Sequence, residues 1–153
     1  MGLRPHRLDM DGLARVRSQT RLPIMADEAI FTLQDALNCI QKGAADIISV
    51  YPGKHGGILN TIAIVEIAEA AGVHCAIGSN LEWDIASAAM AHVTVSLPNI
   101  PVERYATDII GPLFHIEHAL ETPISTQNWQ VTVPQVAGLG VSLDLEQLEG
   151  LRI

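Results

Sequence analysis

Seven polar side chains stand at or just past short apolar runs. Asp27 and Glu28 follow Leu22-Pro23-Ile24-Met25-Ala26. Tyr51 and Lys54 follow Asp46–Val50, Asn80 and Glu82 follow His74–Gly78, and Asp108 lies in Thr107–Ile110. Carboxylates at successive strand ends suit a hard divalent cation, because Mg²⁺ takes oxygen ligands and leaves positions open for a substrate. A lysine or tyrosine on a neighbouring strand could move a proton beside that cation. Any one of these residues alone is also what an ordinary polar loop offers. Other motifs are weaker. Gly53-Lys54 is no phosphate loop, since residue 48 is Ile and residue 55 is His. His115-Ile116-Glu117-His118 spaces its histidines three apart, whereas a helical zinc motif needs four, so a solvated turn is the expectation. His74 and His92 read as structural histidines.

Those positions matter only if the apolar runs are strands, and the intervening segments support that. Asp9 caps a helix running to Ser18, with Leu8, Leu13 and Val16 on its apolar side. Thr32 and Asp35 resemble a capping box, and Gly43 ends the helix that follows. Gly53, Gly56 and Gly57 make a loop, Ile58–Ala71 a helix ended by Gly72, and Trp83–His92 an Ala-rich helix. Leu22 to Ile47 is 25 positions and Ile47 to His74 is 27. Strands alternating with helices at this spacing predict parallel βα units. Beyond them, Thr94–Leu97 is a separate apolar run, Thr107–Ile110 and Gln130–Val133 read as strands, and Leu143–Leu151 as a terminal helix. Two architectures fit: a small doubly wound α/β domain, which composition and spacing alone favour, or about half of a (β/α)₈ barrel, which needs roughly 200–250 residues when whole. In both, residues past the strand ends face the active site.

Composition bounds the function. The chain has 153 residues, 48 % of them apolar and 17 % charged, with a net charge of −8. It suits one buried core and is too apolar to be disordered. The acidic balance argues against nucleic acid, because the only basic cluster, Arg4 to Arg21, is broken by Asp9 and Asp11. Cys39 and Cys75 lie in apolar segments and form no disulfide framework, which fits a reducing cytoplasm. No signal peptide and no apolar run of ~18 residues is present, so no membrane partner is expected.

Five segments in order, PIMADEAIFTLQDAL, GAADIISVYPGKHGG, AEAAGVHCAIGSNLEWDIASAAMAH, ATDIIGPLF and VPQVAGLGVSLD, resemble the C-terminal half of the mandelate racemase/muconate lactonizing enzyme group of the enolase superfamily. The resemblance runs from about Leu8 to about Asp144. It implies a fold class of α/β type, about half of a (β/α)₇β TIM-like barrel, with residues 1–153 forming part of a C-terminal barrel domain. It implies Mg²⁺ and proton abstraction next to a substrate carboxylate, with the metal stabilising the enediolate. On the family pattern Asp27 is the third metal ligand, Glu28 joins its polar network, Asn80 and Glu82 line the site, and Asp108 stands where muconate lactonizing enzymes carry Glu.

The chain departs from that pattern in two places. Relatives carry a catalytic lysine in a KxxKxGG run; here Tyr51 aligns with the first lysine and Lys54 with the second. Either Tyr51 takes the proton role, or Lys54 reaches in, or the step is not run from this side. That favours dehydration of a sugar acid over the alternative of muconate-type cycloisomerisation. The family's other two metal ligands, its second-strand lysines and its capping domain would all precede Met1. The chain alone is therefore expected to bind Mg²⁺ weakly or not at all, to be inactive, and to associate with itself or with a complementary barrel half. A further alternative is a catalytically dead remnant or association module.

Overall fold

The computed structural model describes residues 9–151. Helix α1, Met10–Ser18, starts at Asp9, whose side chain accepts from the Gly12 amide. Strand β1 is only Met25–Ala26, so most of the expected Leu22–Ala26 strand is irregular, and Leu22 is exposed. Thr32 and Asp35 close a complete capping box at the start of α2, Leu33–Gln41. Strand β2, Ile47–Val50, is buried at every position. Helix α4, Ile58–Ala70, and strand β3, His74–Ile77, complete the second unit, with a short helix α3, Pro52–His55, between β2 and α4. The order along the sheet is β1-β2-β3, all parallel, with Met25 beside Ile47 and Ile47 beside His74. A buried cluster that includes Ile48, Val50, Ile64, Val65 and Cys75 fills the space between sheet and helices. Both cysteines are buried and free. No helix among the described residues is long and apolar enough to cross a membrane.

Four expectations need correction. The Gly53 loop is helical: Pro52 presets the first turn and Gly56, at φ 76°, ends it. Thr94 to Ser96 extend α5, which runs Asp84–Ser96. The Thr94 hydroxyl donates to the Met90 carbonyl inside the helix, and the residue before Pro98 ends it in extended geometry. The apolar run set apart from the Trp83–His92 helix is its continuation, with Val93 and Thr94 buried. Thr107–Ile110 is extended without forming a ladder; one bond, from the Asp108 amide to the Ile77 carbonyl, ties it to β3. Gln130–Val133 forms no strand; its Val131 and Val133 instead pack against the core from an irregular segment. The last helix, α6, is Leu145–Gly150. Of the expected α1 apolar side, Leu13 packs on the core, Val16 is exposed, and Leu8 lies outside the described residues.

Candidate active site at the strand ends

Parallel strands deliver their carboxyl ends to one edge, and five of the seven expected residues converge there. The α3 turn folds Lys54 back over the end of β2. Its side chain is 1 % exposed, and its ammonium donates to the Asp27 carboxylate at 2.7 Å, the Ser49 carbonyl at 2.9 Å and the Asp27 carbonyl at 3.1 Å. All three protons are thereby committed. The ammonium also lies 4.7 Å from the centre of the Tyr51 ring. Burial pulls the Lys54 pKa below its usual value, and the bond to Asp27 opposes that.

Tyr51 is buried and donates to the Asn80 side-chain oxygen at 3.2 Å. Burial first, then the charges of Asp27, Glu28 and Glu82, push its phenol up to about 12. Glu82 accepts the Asn80 amide through one oxygen at 2.8 Å, while its other oxygen is buried and unpartnered. Leu81, between them, adopts φ 60°, a left-handed conformation strained for a branched residue. It is held by the Ser79 hydroxyl on its amide and by His115, which donates to its carbonyl at 2.9 Å. Gly111 packs so closely beneath that a Cβ there would run into the Glu82 carbonyl.

The two remaining residues sit apart from this centre. Glu28 is exposed, and acts on Tyr51 and Lys54 through charge alone. Asp108 accepts from the Ser79 hydroxyl at 2.9 Å, on the irregular segment whose amide bonds the end of β3. Sequence reading did not single out His55. Its Nδ1 donates to the Phe31 carbonyl at 3.0 Å and so links α3 to the segment after Asp27; its Nε2 is buried without a partner. Its place beside Lys54 was the only signal. Of the two histidines in the expected solvated turn, His115 braces Leu81 and His118 bonds the buried Asp84 at 3.1 Å.

The fit to Mg²⁺ is poor within this chain. Among the described residues no three His, Cys, Asp or Glu side chains group to hold a metal. Asp27 spends one oxygen on Lys54, and its side chain is 45 % exposed, so water competes for the other.

Comparison with known proteins gives the family and the fold. The family model described as enolase C-terminal domain-like matches residues 4–148. The chain is 35 % identical over 140 residues to muconate cycloisomerase 1 of Rhodococcus opacus, covering 92 % of this chain and 37 % of that protein. It is 33 % identical over 142 residues to muconate cycloisomerase 1 of Pseudomonas putida, covering 93 % and 37 %. The crystal structure of a muconate lactonizing enzyme from Pseudomonas fluorescens complexed with muconolactone superposes with a TM-score of 0.90 at 34 % identity, over 97 % of this chain and 39 % of that one. The chain thus spans under two fifths of the length of these relatives. Both relatives are named as cycloisomerases, not as the sugar-acid dehydratase expected from the sequence.

Proposed function

This chain belongs to the enolase C-terminal domain-like family, within the mandelate racemase/muconate lactonizing enzyme group, and from that premise we propose that it supplies the C-terminal barrel portion of a cycloisomerase. The substrate class is a carboxylate-bearing small molecule of the muconate type, taken from the relatives' names. The observation that carries the reading is the convergence of Asp27, Lys54, Tyr51, Asn80 and Glu82 on the carboxyl edge of one parallel sheet.

Of the three alternatives the sequence left open for the proton step, these residues support the last, in which it is not run from this side. A phenol held near 12 is ionised in about one molecule in 10⁵ at pH 7, so Tyr51 serves as a neutral hydrogen-bond donor rather than a base. A substrate oxygen that displaces Asn80 would receive that proton's hydrogen bond. Lys54 cannot take a substrate proton without surrendering one of three acceptors. Its role here is to fix the Asp27 carboxylate and to offset the charge of the acids around it. The base then belongs to strands outside this chain, as does the rest of any Mg²⁺ site.

A second reading, an association module without chemistry, is favoured by the same locked Lys54, whose three protons are all held by the chain itself. The experiment that separates them is a hybrid barrel. This chain replaces the matching C-terminal portion of the Rhodococcus opacus relative, and turnover of muconate is followed by loss of the diene absorbance with product identification. The cycloisomerase reading expects lactone formation. A hybrid that unfolds cooperatively yet turns over no dicarboxylate establishes the association module instead.

A further inference from the structure

The opposite end of the sheet, where the strands begin, carries a second feature. A cavity of about 660 Å³ opens there, lined among others by Arg17, Arg21, Lys42 and Arg104. These are four of the nine cationic side chains in a chain of net charge −8. Two of them are already paired: Arg17 with Asp46, the one acid on the wall, at 2.7 Å, and Lys42 with Asp11 at 2.7 Å, which leaves Arg21 and Arg104 to meet a ligand.

Arg104 is the decisive residue. Its guanidinium donates to His74 Nε2 at 3.2 Å and lies 5.2 Å from the centre of the Tyr105 ring. The His74 ring can accept there because its Nδ1 carries the proton and donates to Asn99 at 3.3 Å; Asn99 in turn donates to the Val73 carbonyl at 2.9 Å. The relay therefore orients a cation without neutralising it, since every group in it is uncharged when it accepts. Arg21, exposed on the same wall, has no acidic partner among the described residues either. A planar guanidinium held in this way presents its remaining N–H groups in the fork that matches carboxylate and phosphate oxygens. We propose that this cavity is a binding site for a small multiply charged oxyanion, at the end of the sheet remote from Lys54 and Tyr51.

The site is independent of the family reaction and can be tested on the full chain by calorimetry at constant ionic strength. Inorganic pyrophosphate and citrate serve as probes, one for phosphate and one for carboxylate chemistry. The proposal expects saturable 1:1 binding of at least one probe, and the tighter of the two identifies the oxyanion chemistry. Arg104→Ala should weaken it by about tenfold or more, the loss of one bidentate contact, and Arg21→Ala by a smaller factor. Arg15→Ala, whose side chain pairs with Asp9 and does not line the cavity, should leave binding unchanged. The proposal is overturned if neither probe saturates below about 10 mM. It is equally overturned if Arg104→Ala and Arg15→Ala bind as the unaltered chain does. Both arginines are exposed, so neither substitution threatens the fold.

Discussion

His55 shows how a residue outside the family's catalytic set can govern the site. It clamps α3 to the segment after Asp27, and so sets where Lys54 meets the carboxylate. Burial lowers its pKa below 6.5, because the protonated ring would place charge on an unpartnered Nε2. A base with a lowered folded pKa binds protons more readily when unfolded. Its contribution is therefore complete above pH 6.5 and is lost as pH falls through the folded value. Urea unfolding should show stability dropping as pH falls below 6.5, the ordinary histidine value. The carboxylates of Asp35 and Asp46 are held below their ordinary range and titrate further down. His55→Gln should flatten the slope; an unchanged slope would assign it to other groups. The residue types at the site were legible in the sequence, and so was their order. The three-acceptor lock on Lys54 was not, because two of its partners are backbone carbonyls that carry no residue signature.

Among the elements, the segment after β3 is the most constrained. Leu81 in a left-handed conformation aims Asn80 and Glu82 at Tyr51, and Gly111 from the following turn permits the close approach. Gly111→Ala should cost about 1–3 kcal/mol by overpacking, read as a lower urea midpoint, and should displace Glu82. A neutral effect would mean that the two backbones separate freely. The helices and the three parallel strands were readable because caps, glycine stops and spacing agreed, as at Thr32–Asp35 and Gly43. The second half was harder to read. Its Val93-Thr94-Val95 run has strand propensity in a helix, and Thr107–Ile110 is an extended segment with a single ladder-type bond. Tertiary packing decided both.

At the scale of the molecule, the sheet is asymmetric. The outer edge of β3 is partly covered by bonds to Asn99 and Asp108. Among the described residues the outer edge of β1 has no strand beside it, and Met25 there is 45 % exposed. An open parallel edge is a template for pairing with another chain. Light scattering after size-exclusion chromatography should show association, and Met25→Lys should reduce it; a cooperatively unfolding monomer would contradict that. The sequence conveyed the partial barrel through its ordered motifs, but not the basic cavity, whose arginines are scattered from position 17 to position 104 and meet only in the fold. The central claim is that this chain holds part of a cycloisomerase site and not a working whole. Calorimetric titration of Mg²⁺ into the full chain tests it most directly. With Asp27 half-exposed and one oxygen bound to Lys54, the predicted result is no binding tighter than roughly millimolar. Binding in the micromolar range that Asp27→Ala abolishes would contradict it, because the remaining ligands would then have to come from within this chain.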